Sequence, residues 1–176
     1  MSDLFETIKS DRDIFSKLLA YVPGFSGYLE RQNRRAADKM LRDQVALRYE
    51  ELQRRLFDIK KDLVDAGEFS LLEEIDSIGL KLTTLVDRLR TASYGYSGFF
   101  DSLKINEEEL AQLYAFDAGF FTIADQIDHG LHNITVSIGS DGLKSAIRAV
   151  NTMAVEALET FDKRYQVISG SAANKP

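Results

Sequence analysis

An all-α protein, an antiparallel four-helix bundle with a long coiled-coil-like hairpin and a short N-terminal amphipathic helix, is what the pattern of this chain predicts. Apolar residues recur at alternating spacings of three and four, as a helix face needs in order to pack along another helix. Only two prolines occur in 176 residues, so long helices run without a forced break. Glycines and capping residues stand where the periodic rows stop and start.

Leu4, Phe5, Ile8, Phe15, Leu18, Leu19 and Val22 outline the short helix. Beyond it, Val45, Tyr49, Leu52, Leu56, Ile59, Leu63 and Ala66 form the seam of a long helix reaching from near Leu29 to Gly67, a residue suited to a left-handed C-cap. Ser70 and Glu73 read as a capping box for the next helix, whose seam is Ile75, Ile78, Leu82, Leu85 and Leu89. These two helices form an antiparallel hairpin. A third helix starts at Asn106, with Glu109 three residues on, and buries Leu110, Leu113, Phe120, Phe121, Ala124, Ile127, Leu131 and Ile134. The fourth follows SIGSDG, capped by Ser140, with Leu143, Ile147, Val150, Ala154, Leu158, Phe161, Tyr165 and Ile168 inward. Residues 1–168 form one domain, and residues 169–176 read as a flexible tail.

The arms of the hairpin are unequal. The segment Leu71 to Thr91 rises about 31 Å and covers the long helix only back to about Val45. The uncovered stretch from Leu29 to Gln44 is flanked by two related motifs, GFSGY at 24–28 and GYSGF at 95–99. Both fall at one pole, where Phe25, Tyr28, Tyr94, Tyr96, Phe99 and Phe100 would make an aromatic cap. Residues 92–105 are read as a packed plug or as a binding surface, the two uses of a long loop on a rigid scaffold.

Net charge is −6, unevenly placed: residues 30–65 carry ten lysines and arginines against eight acids, and residues 66–176 nine against sixteen. An acidic chain with one mildly basic helix points away from nucleic acid, which demands a concentrated cationic face. No cysteine occurs, so disulfides and thiolate metal sites are excluded. No apolar run approaches the roughly 18 residues of a membrane span, and the acidic N-terminus lacks the basic flank of a signal peptide. The expectation is a cytoplasmic protein. Asp3, Glu6, Asp11 and Asp13 against Lys9, Arg12 and Lys17 also argue against docking of the first helix on a membrane surface.

Three groups of residues bear on function. Arg31, Arg34, Arg35, Lys39 and Arg42 recur at near-helical spacing and form a cationic stripe. With Tyr28, Tyr94, Tyr96, Phe99 and Phe100 at the adjoining pole it suggests a site for an acidic partner or an anion, against the plainer reading that the arginines pair with nearby acids. Asp125, Asp128, His129 and His132 place carboxylate and imidazole one turn apart, as metal ligands require. A ferritin-like centre needs Glu-x-x-His on each of two helices, but Gln126 precedes His129 by three and His129 itself precedes His132. Asp117 falls on a buried row and needs a cationic partner, for which Arg42 and Arg88 are the candidates. There is no cysteine nucleophile, Gly-x-Ser-x-Gly elbow, phosphate loop or dinucleotide fingerprint. The first reading is therefore a non-enzymatic interaction or scaffold protein, without cofactor, that holds a protein partner or associates with itself. The alternative is a divalent-metal-dependent helical-bundle enzyme using the Asp/His group.

The stretch PGFSGYLERQNRRAADKMLR, through Pro23, Gly24, Tyr28, Arg34, Arg35, Asp38, Leu41 and Arg42, resembles a box in uncharacterised bacterial helical proteins, in which a Pro-Gly-aromatic turn precedes a charged helix with an arginine pair. The resemblance spans residues 22–48. It implies a bacterial origin and no activity.

Overall fold

The computed structural model describes residues 14, 16–26, 34–92 and 107–173, with side chains over 14, 16–26, 36–92 and 112–167. Tyr28, Arg31, Tyr94, Tyr96, Phe99, Phe100 and Asn106 lie outside the described residues, as do the side chains of Arg34, Arg35, Leu110 and Ile168. Among the described residues, four long helices make the fold: α1 (Arg34–Asp65), α2 (Leu72–Thr91), α3 (Glu107–Ser137) and α4 (Leu143–Ala173). Among the described residues there is no strand.

α1 packs on α2 and α3, and α4 packs on the same two helices. The cross-section is a square in the order α1, α2, α4, α3. Cross-helix pairs set the directions. Tyr49 meets Phe120 and Arg55 meets Asp128, so α1 and α3 run parallel; Glu74 meets Lys144 and Arg88 meets Asp162, so α2 and α4 do too. α1 with α2, and α3 with α4, are antiparallel hairpins. The start of α1, end of α2, start of α3 and end of α4 therefore share one pole, and residues 93–106 connect the diagonal helices α2 and α3.

Gly67 closes α1 as the row of apolar residues anticipated. It has φ +78°, with the Glu68 amide donating to the Leu63 carbonyl at 2.9 Å and the Gly67 amide to that of Val64 at 3.0 Å. This is the paired-bond C-cap that a left-handed glycine permits. The expected capping box at Ser70 and Glu73 does not form. Residues Phe69–Leu71 make a 3₁₀ turn, Leu71 takes the N-cap position of α2, and no side chain caps that end. Burial of Leu71 sets the entry of the chain in its place. Ser140 likewise does not cap the last helix: Gly142 immediately precedes α4, and the Ser140 hydroxyl donates back to the Ser137 carbonyl at 2.8 Å. α4 also continues to Ala173, beyond Ile168, after which the sequence predicts a flexible tail.

Ahead of α1, residues 16–21 are helical and end in a turn over Val22, Pro23, Gly24 and Phe25. The Phe25 amide donates to the Val22 carbonyl at 3.2 Å, and Gly24 has φ +83°. Proline at the second position and a positive-φ glycine at the third are the requirements of a type II turn. One glycine of the repeated motif is thereby explained. The turn delivers Phe25 into the core, edge-on to Tyr114 at 5.6 Å, while Tyr21 stacks on Phe121 at 4.6 Å.

The seams of α2 and of the described part of α3 are buried as their spacing predicts, and that of α1 is buried from Val45 to Leu63, whereas Ala66, expected on the same seam, lies past the end of α1 and is exposed. In α4 the seam departs near its end. Ala157, Phe161 and Arg164 turn inward, Leu158 is only partly buried, and Tyr165, expected inside, is 50% exposed. α3 and α4 approach closely at Gly130, where a Cβ would lie 2.6 Å from the Val150 Cγ2.

Candidate interaction surface and the buried charge layer

Beneath the shared pole, four charged residues cross the interior. The Arg164 Nε donates to Asp117 Oδ1 at 2.9 Å, and its Nη2 donates to Asp38 Oδ1 at 2.5 Å and to Asp117 Oδ2 at 3.3 Å. Asp38 accepts from the Arg42 Nε at 2.9 Å, and the Arg42 Nη1 reaches the Leu89 carbonyl at 3.0 Å. None of the four is more than 4% exposed. The layer thus touches all four helices, with α2 contributing a backbone carbonyl. Its formal charges cancel, two cations against two anions. The partner of Asp117 is therefore Arg164, in place of Arg42 or Arg88; Arg88 lies outside, paired with Asp162 at 2.9 Å.

Burial pushes the Asp117 carboxyl above its ordinary value of 3.8, while the Arg164 guanidinium pulls it back. A carboxyl whose folded pKa lies above its unfolded one binds protons more readily in the folded state, so its contribution to stability rises as pH falls through that window. Relative to an Asp117→Asn variant, the native protein should gain unfolding free energy as pH is lowered from neutral towards 3.8. Urea titrations of both proteins across that range check this; a difference that moves the other way refutes it.

A second, half-exposed network runs between α1 and α3. Arg48 reaches Asp125 at 3.3 Å, Asp128 at 3.7 Å and Glu51 at 3.1 Å. Arg55 also pairs with Asp128, and the Tyr21 hydroxyl donates to Asp125. That hydrogen bond, aided by burial, holds the Tyr21 phenol above its usual range. The two carboxylates of the Asp/His group are thus faced by arginines, while His129 and His132 lie exposed beside them. Among the described residues, no three His, Asp or Glu side chains are placed to hold a metal ion together. The network ties α1 to α3 and, through Tyr21, the N-terminal segment to α3.

Of the cationic stripe, Lys39 is on the outside, 3.8 Å from Asp43, whereas Arg42 is turned inward and committed to Asp38 and Leu89. Asp38 and Arg42 share the inward face with Leu41 and Val45, which the charge pattern alone did not reveal.

The outer seam of the α1–α2 hairpin bears no motif that marks it in the sequence. It is laced by Gln53 to Thr83 at 3.0 Å, Lys60 to Asp76 at 2.6 Å, and Arg90 to Glu50 at 2.6 Å. Between the first two ties lies a notch of about 270 Å³, bordered by Phe57 and Gly79, with Leu56 and Ile75 among its lining. Phe57 is 61% exposed, with the Lys61 Nζ over its ring at 4.5 Å. Leu80, one residue on from Gly79, is 69% exposed. Nearer the turn, beyond the Lys60–Asp76 tie, Val64 and Phe69 are 41% and 64% exposed. The available signal was an apolar residue standing off the seam, Phe57 beside Leu56 and Leu80 beside Gly79.

Compared with models of protein families, with curated proteins and with solved structures, the chain matches none.

Proposed function

We propose that this chain is a helical interaction or scaffold module whose contact surface is the outer face of the α1–α2 hairpin. The observation that carries the reading is the grouping of Phe57, Val64, Phe69 and Leu80, all at least 41% exposed, on one hairpin and its turn. Large apolar side chains gathered on one surface mark interaction sites, whereas single ones do not. Leu19, Val136, Val155 and Tyr165 lie on other elements, and Leu47 stands ten residues before Phe57 on α1. Aromatic anchors beside a notch with a polar surround match the organisation of binding hot spots. The inward commitment of Arg42 moves the weight of the reading from the arginine stripe to this face.

Photoreactive residues at positions 57 and 80, with a control at the exposed Ala149 on α4, test the surface in living cells. Discrete crosslinked adducts from 57 and 80 but not from 149 are the expected result. No adduct from the hairpin positions, or equal adducts from the control, would sink the proposal.

A further inference from the structure

We infer that the occupant of the hairpin face is a second copy of this chain, seated about a two-fold axis so that Phe57 of each copy enters the notch beside Gly79 of the other. The inference rests on the interaction reading above and goes beyond it by naming the partner. Two observations point the same way.

Knob and hole lie on one face. Phe57 projects from α1 at the rim of the notch that Gly79 opens on α2, and an isologous contact requires a patch that complements itself. A partner of different sequence would need either feature without the other.

Gly79 has no evident use within its own chain. It sits inside a helix without positive φ, and a Cβ there would meet only Leu56 Cδ2, at an ordinary 3.6 Å. A helix-interior glycine forgoes up to about 1 kcal/mol relative to alanine, and the room it leaves opens outward. The area suffices as well. α2 has 20 residues, so a face about 30 Å long and two helices wide offers roughly 600 Å² in projection, comparable with the ≈ 800 Å² of accessible surface per partner in a standard interface.

Sedimentation equilibrium of the full chain over a concentration series tests the inference. Expected is a mass rising to twice that of the chain. Phe57→Asp should weaken the dimer by about 30-fold or more, the effect of losing a hot spot. Gly79→Ala should raise the melting temperature of the monomer yet weaken the dimer by about tenfold, because it shallows the notch without disturbing the bundle; helicity by circular dichroism should be unchanged in both variants. A single-chain mass at every concentration, or a dimer indifferent to both substitutions, overturns the inference. The photoreactive residue at 57 separates the two levels. A monomer that crosslinks there to a different chain refutes self-association and leaves the interaction surface standing; a monomer with no adduct refutes both.

Discussion

Replacing Arg164 by methionine should lower the unfolding free energy by about 3–5 kcal/mol, the usual consequence of removing one member of a buried ion pair. Asp117 accepts its hydrogen bonds from Arg164 and is 1% exposed, so the variant leaves it as a desolvated carboxylate without its donor. Asp38 loses one donor but keeps Arg42 at 2.9 Å. That difference defines a sharper test. Adding Asp117→Val to Arg164→Met removes the stranded charge and leaves the Asp38–Arg42 pair balanced, so the double variant should recover to within about 1–2 kcal/mol of the native protein. Urea unfolding of the four members of this cycle provides the measurement. A single variant within about 1 kcal/mol of native, or losses that simply add, would show that the layer is not a coupled unit.

Gly130→Ala is the second large effect, and its sign is informative because two terms oppose each other. Helix propensity favours alanine by up to about 1 kcal/mol. Against it, the new methyl would sit 2.6 Å from Val150 Cγ2, far inside any real contact. Val150 is fully buried and β-branched, so its side chain has no free rotamer into which to withdraw. Overpacking of this kind costs about 1–3 kcal/mol and should win, giving a net loss of about 1–2 kcal/mol. Combining it with Val150→Ala should relieve the clash and bring stability back towards that of Val150→Ala alone. Thermal or urea denaturation of the three variants decides the matter, and a stabilised Gly130→Ala protein would mean that α3 and α4 do not meet as closely as described.

The helices and most of their seams were legible because periodicity is local information: spacings of three and four announce a face whatever lies opposite it. Gly67 was legible for the same reason, since its φ answers to its own helix end. The end of α4 was not. Leu158, Phe161 and Tyr165 continue the spacing as well as Ala157, Phe161 and Arg164 do, and hydropathy favours the first set. What selects the second is the carboxylate pair waiting across the core, on helices 47 and 126 residues away. Asp117 on an apolar row did announce that some arginine had to be buried with it, but the row drawn through Tyr165 placed Arg164 outside. Arg42 was misplaced by the converse error, because a regular run of charges reads as a solvated stripe until an inward acid, Asp38, is found one turn before it. The hairpin face escaped notice because exposure of Phe57 and Leu80 depends on no other element covering them, which no local pattern encodes.

The charge layer also carries a message about time. The hairpins α1–α2 and α3–α4 close between neighbours in sequence and assemble from local contacts, which form early in helical proteins. The Asp38–Arg164 contact spans 126 residues and joins one hairpin to the other, so it cannot be completed until the two have docked. Interactions absent from the folding transition state act on the unfolding limb. The part of the loss that belongs to the Asp38–Arg164 contact, isolated by a double-mutant cycle, should accordingly appear in stopped-flow chevrons as faster unfolding with a nearly unchanged refolding rate. The bond between Asp38 and Arg164 then serves as a late-closing clasp, setting how long the assembled bundle lasts more than how quickly it forms.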